Sequence, residues 1–485
     1  MADIMVRQWG LAVLKVRLDL SRKIPAVTSE LIAYPDGTER QFWSRADPLA
    51  DFGLVSGTTP PTHLELPRAL AAAVDDSLHG ELRGQASLWL RLVPPYGYLG
   101  AVPWEDLVPL IGVPLLRVPD RLPVPVDFGN TWSTVLAVSA PPGAVWGAVH
   151  VIRHLQALRR NLTVPLQVDV FADAHTHGLL TDDPAFEAGP DVRLHQPDRA
   201  IPAHEERSGV RSRQDHQVQA ARRPFPSANL IWADWMISGL GGRAVRALHL
   251  ATPGALDGIR PVLRFSTNPG RSGRTPWAVG TDDDVSQLAD VLGASLVTFS
   301  SPPAHHSDLA IRMLADWIGQ SRPGPTLYSS MAGDPTGDVL ASAEAFLAAP
   351  HDALPVPQHP SLFGYIQPEA AHPSLTDQWL PAASDSVYGT VGADAPTADE
   401  LVMRSSMSAQ SGSARELGEL YGPGETVPSW VAASARFIDT QRAALMSVAK
   451  TAGKPVATRR AYDEGAASAL AEIQELMFRS AEELK

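Results

Sequence analysis

The chain has 485 residues, 44% of them hydrophobic and 19% charged, enough to bury several cores, and ordinary domain sizes divide it into about three units. A formal net charge of -13 argues against a nucleic-acid or anionic-lipid binder, which needs clustered cations, and the absence of cysteine excludes disulfides, thiolate metal sites and cysteine nucleophiles. No apolar stretch approaches the ~20 residues of a spanning helix, and Arg7, Lys15, Arg17 and Asp19 break up the start, so a soluble cytoplasmic protein is expected.

Residues 12–18 alternate apolar and basic side chains, which predicts a half-buried strand, and residues 87–93 repeat the pattern. A short helix is predicted between them, from Pro67 to Ser77. The stretch YGYLGAVPWEDLVPLIGVPLLRVPD, residues 96–120, has Pro103 at the first turn of a short helix and Pro109, Pro114 and Pro119 as punctuation. It reads as a compact connector that closes a strand-rich N-terminal region, residues 1–125.

From Thr131 the pattern becomes alternating strands and helices. Strands are predicted at 134–139, 166–172, 294–301 and 325–329. Helices are predicted at 145–160, with Val149, Ile152, Leu155 and Leu158 as the apolar stripe, and at 282–292, opened by three aspartates and closed by Gly293. A third follows Ser307, a candidate N-cap, and a fourth runs from Asp338 to Ala349. Such alternation implies a mostly parallel sheet covered on both faces, whose chemistry collects at the carboxyl ends of the strands. This α/β domain is placed at 126–365. Its polar interruption at 201–228 is read as a solvated insertion, with a basic recognition arm as the alternative. A proline-rich stretch begins near Leu354, and residues 366–485 are read as a linker and a helical C-terminal region with helices at 429–450 and 462–483.

Three constellations are candidates for chemistry. In DVFADAHTHG, residues 169–178, a strand would lead into an extended segment that presents His175 and His177 on one side, the start of a metal-dependent hydrolase. His249, His305, His306 and Asp308 are further ligand candidates, while a plain polar loop is the simpler reading. Ser300 and Ser301 end a buried strand near His305 and His306, but TFSSPPAHH lacks the strained turn of a serine nucleophile. The third is the strand RALHLATPG, residues 246–254, which runs into the turn Thr252-Pro253-Gly254.

Together, LWLRLVPPYGYLGAVPWEDL with VPLLRVPD, then ALHLATPG and GASLVTFSSPP, resemble the CHAT group of caspase-like (clan CD) proteins, found in bacterial signalling and conflict systems. The likeness runs from about residue 85 to 350, and Pro103-Trp104-Glu105 is its most specific part. In that group two adjacent parallel strands end in a His-Gly pair and a cysteine nucleophile. The resemblance implies a caspase-like α/β fold in which Pro253 stands at the histidine, Gly254 at the glycine, and Ser301 or Pro302 at the nucleophile. His249 matches a non-catalytic strand histidine, and with Trp104 and Glu105 it is read as structural. Proline cannot carry a proton and no thiol exists, so a degenerate protease is expected. Neither cofactor nor metal is expected. The function so implied is a protein-binding scaffold or regulator, with partners held through the C-terminal helices, and no nucleic-acid or membrane partner. The alternatives are a hydrolase using Ser301, or a metal-dependent one at His175 and His177.

Overall fold

The computed structural model describes residues 12–366 apart from 20–25, 34–39, 55–63, 81, 83–86, 94–95, 120–130, 206–230, 258–259, 272–275, 323 and 349–355. Most of the polar insertion and both predicted C-terminal helices therefore lie outside the described residues. Among the described residues, no helix is long and apolar enough to cross a membrane.

The first alternating segment is strand β1 (Ala12–Asp19), and the predicted helix beyond it is α1 (Arg68–His79), which buries Leu70, Val74 and Leu78 at a four-residue spacing. Two strands that the sequence did not announce, β2 (Ala26–Ala33) and β3 (Arg40–Pro48), extend β1 antiparallel, while β4 (Leu88–Val93) flanks it in parallel and β5 (Leu115–Arg117) continues beyond.

The alternating unit follows the expected order. It consists of β6 (Trp132–Val138), α3 (Trp146–Asn161), β7 (Leu166–Ala172), α4 (Ala174–Asp182) and β8 (Val192–His195), with α2 (Val108–Ile111) in the connector before it. Then come α5 (Ile231–Leu240), β9 (Ala247–Ala251) and a small antiparallel sheet of β10 (Gly254–Asp257), β11 (Arg260–Ser266) and β12 (Trp277–Gly280). The unit ends with α6 (Asp282–Leu292), β13 (Leu296–Ser301), α7 (His305–Ser321), β14 (Thr326–Ser330), α8 (Asp338–Ala348) and β15 (Leu362–Tyr365).

Twelve strands form one mostly parallel sheet in the order β3-β2-β1-β4-β5-β15-β14-β13-β9-β6-β7-β8. The N-terminal strands and the alternating unit thus share a sheet, joined where Tyr365 of β15 pairs with Arg117 of β5. β15 lies inside the proline-rich stretch, where no strand is expected from sequence. Helices cover both faces. Val135, Ala137, Leu248, Leu250, Val297 and Phe299 face α5, α6 and α7, while their neighbours Leu136, Val138, Ala247 and Leu296 face α3 and α8.

Local signals explain the helix ends. Thr281 and Asp284 form a capping box at α6, the Thr281 N–H donating to the Asp284 carboxylate at 2.9 Å, and Gly293 closes that helix at φ 67°. Three local expectations are corrected. Val149 is exposed, and the buried stripe of α3 includes His150 and His154 instead. Ser307 does not cap α7, which starts two residues earlier; its hydroxyl accepts the Gly254 N–H at 2.6 Å. Residues 174–182 are helical rather than extended, because the Asp173 carboxylate caps them by accepting the Thr176 N–H at 3.0 Å.

The Asp169 carboxylate in β7 gives a first prediction. It accepts from His195 Nε2 at 2.8 Å and Arg243 Nη2 at 2.6 Å. Burial pushes this carboxyl up, but the bonds from His195 and Arg243 outweigh burial and hold it below its ordinary value. With a depressed folded pKa, its contribution is present above the unfolded value of about 3.9 and disappears as pH falls through the folded one. Asp169→Asn should cost about 2 kcal/mol at neutral pH. Urea midpoints of variant and wild type should converge on acidification; a gap independent of pH would overturn the assignment.

Candidate functional site

The carboxyl ends of β9 and β13 lie side by side, because these strands are parallel neighbours with Thr298 opposite His249. Beyond β9, the Thr252 hydroxyl donates to the Arg264 carbonyl, and the Arg264 N–H donates to the Pro253 carbonyl at 2.8 Å. Gly254 follows under close constraint. A Cβ there would stand 2.6 Å from Ile311 Cγ1 and 2.8 Å from the Ser307 carbonyl, so only glycine lets this turn lie on α7. Pro253 is half-buried and offers no titratable group to the strand end.

Beyond β13, strand alternation sends the two serines to opposite faces. Ser301 turns towards α7, where its hydroxyl donates to the Asp308 carboxylate and lies 3.4 Å from the Tyr328 hydroxyl. Tyr328 also donates to Asp308; burial and that carboxylate raise the phenol's pKa well above its ordinary value. No imidazole meets Ser301 among the described contacts. Pro302 is buried directly after it. His305 and His306 open α7, but their side chains lie outside the described residues.

Ser300 turns to the other face and does meet a histidine. His249 Nε2 lies 3.1 Å from Ser300 Oγ and 3.1 Å from His150 Nε2. Among the described residues, a histidine and a hydroxyl thus meet one strand position inside the end of β13. The pair is sealed, with His249 1% and Ser300 2% exposed. On the far side of His249, Nδ1 stands 3.8 Å from Glu344 Oε1, and His154 Nε2 stands 3.6 Å from the same oxygen. Both gaps exceed a hydrogen bond.

Three elements build this cluster. His150 and His154 are one turn apart on α3, their rings stacked at 5.6 Å, and both point at the sheet. His249 projects from β9 on the same face, and Glu344 lies in the buried stripe of α8, 0% exposed. Burial, then the neighbouring His154, drives His249 down to about 4 against the pull of Glu344. His150 is lowered by burial and by His249 and His154. Burial pushes the Glu344 carboxyl up, yet His154 and His249 outweigh it and hold the group below its ordinary value.

Comparison with protein-family models, with curated proteins and with solved structures finds no match.

Among the described residues, His175 and His177, the sequence candidates for a metal, do not come together with further ligands. They sit two positions apart on α4, a spacing that sends side chains to different faces of a helix. Among the described residues, the three-ligand group is His154, His249 and Glu344 instead. Of these, only His249 stood out in the sequence. The missed signal was the spacing His150-x-x-x-His154 inside a predicted helix, together with one glutamate in an otherwise apolar stripe. Trp104 and Glu105 are fully buried, the Trp104 indole donating to the Leu99 carbonyl at 2.8 Å and Glu105 accepting from Arg117 at 2.8 Å.

Proposed function

We propose that this chain is a caspase-like protein of the CHAT group that has lost its catalytic dyad and acts as a protein-binding scaffold or regulator, placed by analogy in a bacterial signalling or defence system. One observation carries this. The two positions that the resemblance assigns to base and nucleophile fall at adjacent parallel strand ends, and they are occupied by Pro253 and by Ser301-Pro302, with Ser301 bonded to a carboxylate instead of an imidazole. The Ser301 hydroxyl donates to a carboxylate oxygen already engaged by Tyr328, a much weaker base at neutral pH than the imidazole of a serine hydrolase. Retention of the surrounding architecture, with the turn at Gly254 fitted to α7, favours a surface that is kept for binding.

A second reading has a specific contact behind it: Ser300, His249 and Glu344 lie in the order of a hydroxyl, a base and an orienting carboxylate. Their burial stands against it, since a nucleophile must meet substrate. A fluorophosphonate probe separates the two. The full chain is expected to remain unlabelled and to leave peptide substrates intact, and Ser300→Ala and Ser301→Ala should match wild type in both assays. Labelling that either substitution abolishes would establish a serine hydrolase in place of the scaffold. For the scaffold itself, deletion of residues 428–485 is expected to release a defined protein partner that the full chain retains.

A further inference from the structure

The geometry points to a structural metal site: His154 Nε2, His249 Nδ1 and the Glu344 carboxylate form a buried three-ligand set for one divalent transition metal, zinc foremost, between the sheet and helices α3 and α8.

Spacing is the first support. The ligand atoms of these three residues all lie within 4.8 Å of one another. The 3.6 Å and 3.8 Å separations from Glu344 Oε1 are too long for hydrogen bonds and too short for groups that ignore each other. A tetrahedron with metal–ligand bonds of roughly 2.0–2.1 Å has edges of about 3.3–3.4 Å. Shifts of a few tenths of an ångström would close the set on an ion.

Unmet bonding capacity is the second. Both oxygens of Glu344 and Nδ1 of His249 are buried without a hydrogen-bond partner, as is Nδ1 of His154. A buried carboxylate that accepts no hydrogen bond is costly. A dication held by Glu344, His249 Nδ1 and His154 Nε2 engages the Glu344 carboxylate and His249 Nδ1 at once, with the imidazoles neutral, the form in which they ligate.

The third is what stands behind the ligands. A metal-bound imidazole donates its other N–H to a fixed acceptor, which sets its tautomer and orientation. His249 Nε2 has two such acceptors, His150 Nε2 and Ser300 Oγ, each at 3.1 Å. The contact that resembles part of a catalytic triad is then the outer shell of a metal ligand. Two imidazoles and a carboxylate suit zinc, whereas calcium and magnesium require more oxygens than this set holds. All three ligands are sealed from bulk water, so the ion would pin α3, β9 and α8 together rather than meet a substrate.

The test uses the full chain, prepared without an affinity tag of histidines. After growth with added zinc and exhaustive desalting, elemental analysis should find about one zinc per chain. Stripping by a chelator in mild urea should lower the melting temperature, and zinc should restore it. Glu344→Gln and His154→Gln should each bind at least tenfold more weakly. His150→Gln, outside the ligand set, should keep its metal with affinity lowered about 10- to 100-fold. Should the ligand variants fail to fold, stripped wild type titrated with cobalt(II) should develop the visible absorption of a tetrahedral ion. Wild type that holds no metal and gains neither stability nor colour would overturn the site, as would equal zinc content in wild type and both ligand variants.

Discussion

Arg117→Ala is expected to destabilise the protein by about 3–5 kcal/mol, because it strips the partner from carboxylates that have no access to water. Arg117 is fully buried at the end of β5. Its guanidinium donates to Glu105 Oε1 at 2.8 Å, to the Gly100 carbonyl at 2.6 Å, to the Val102 carbonyl at 3.1 Å and to Asp316 Oδ1 at 3.3 Å. Its flat face covers the Phe363 ring at 4.3 Å. Burial opposes the charge, but Glu105 foremost, then Tyr365 and Asp316, hold the group above its ordinary pKa. Arg117 is in turn the first of the forces that offset burial at Asp316, so its loss pushes that carboxyl further up. Arg117→Lys should recover only part of the loss, since an ammonium cannot reproduce the forked contact. Urea denaturation of the three proteins measures the effect; a loss below about 1 kcal/mol would mean that the cluster relaxes around the gap.

The cost matters because of what the cluster joins. Glu105, from the connector, also accepts from Arg312 of α7, and Asp316 of α7 accepts from Tyr96 and Tyr365. The loop approaches so closely that a Cβ on Gly100 would sit 2.0 Å from Asp316 Oδ2. The connector therefore clamps α7, and α7 supplies both Asp308 to Ser301 and the Ser307 hydroxyl to Gly254. The Pro103-Trp104-Glu105 stretch acts on the strand ends at one remove, through the helix that lies against both of them.

Much of this architecture was legible because buried parallel strands are unbroken apolar runs and their helices carry a clear stripe. β6, β7, β13 and β14 with α3, α6, α7 and α8 all fall where the sequence places them, within a few residues. β2 and β3 did not show. Ala26–Ala33 is buried at almost every position, so it lacks the two-residue alternation of a one-sided strand, and Arg40–Pro48 is too exposed to carry an apolar pattern. β15 was hidden by its proline-rich surroundings, though it completes the sheet. At the site, His249 was visible on its strand, whereas the stripe of α3 was read from apolar residues alone, so His150 and His154, buried beside Ile152, Leu155 and Leu158, gave no signal. Glu344 lies 95 positions from His249, a distance over which no local pattern reports contact, so the cluster became visible only in three dimensions.

Trp104→Ala should cost about as much as loss of Arg117, roughly 3–5 kcal/mol, but by a different mechanism and on the other side of the clamp. The indole is 0% exposed, 6.0 Å from the Phe52 ring, within a cluster that includes Leu70, Val74, Leu90, Leu92 and Leu107. Truncation opens a cavity among side chains fixed by strands and α1, and it leaves the Leu99 carbonyl without its indole donor. Trp104→Phe should retain most of the packing and lose about 1–2 kcal/mol. Hydrogen exchange locates the damage. The amides of β1, β4 and α1 should exchange faster in Trp104→Ala, while those of β7 and β8, at the far edge of the sheet, should follow only through global unfolding. Uniform acceleration across all twelve strands would show that the sheet opens as one unit. Acceleration confined to the near edge would show that the single pairing of Tyr365 with Arg117, together with the Arg117 cluster, is the seam along which it comes apart.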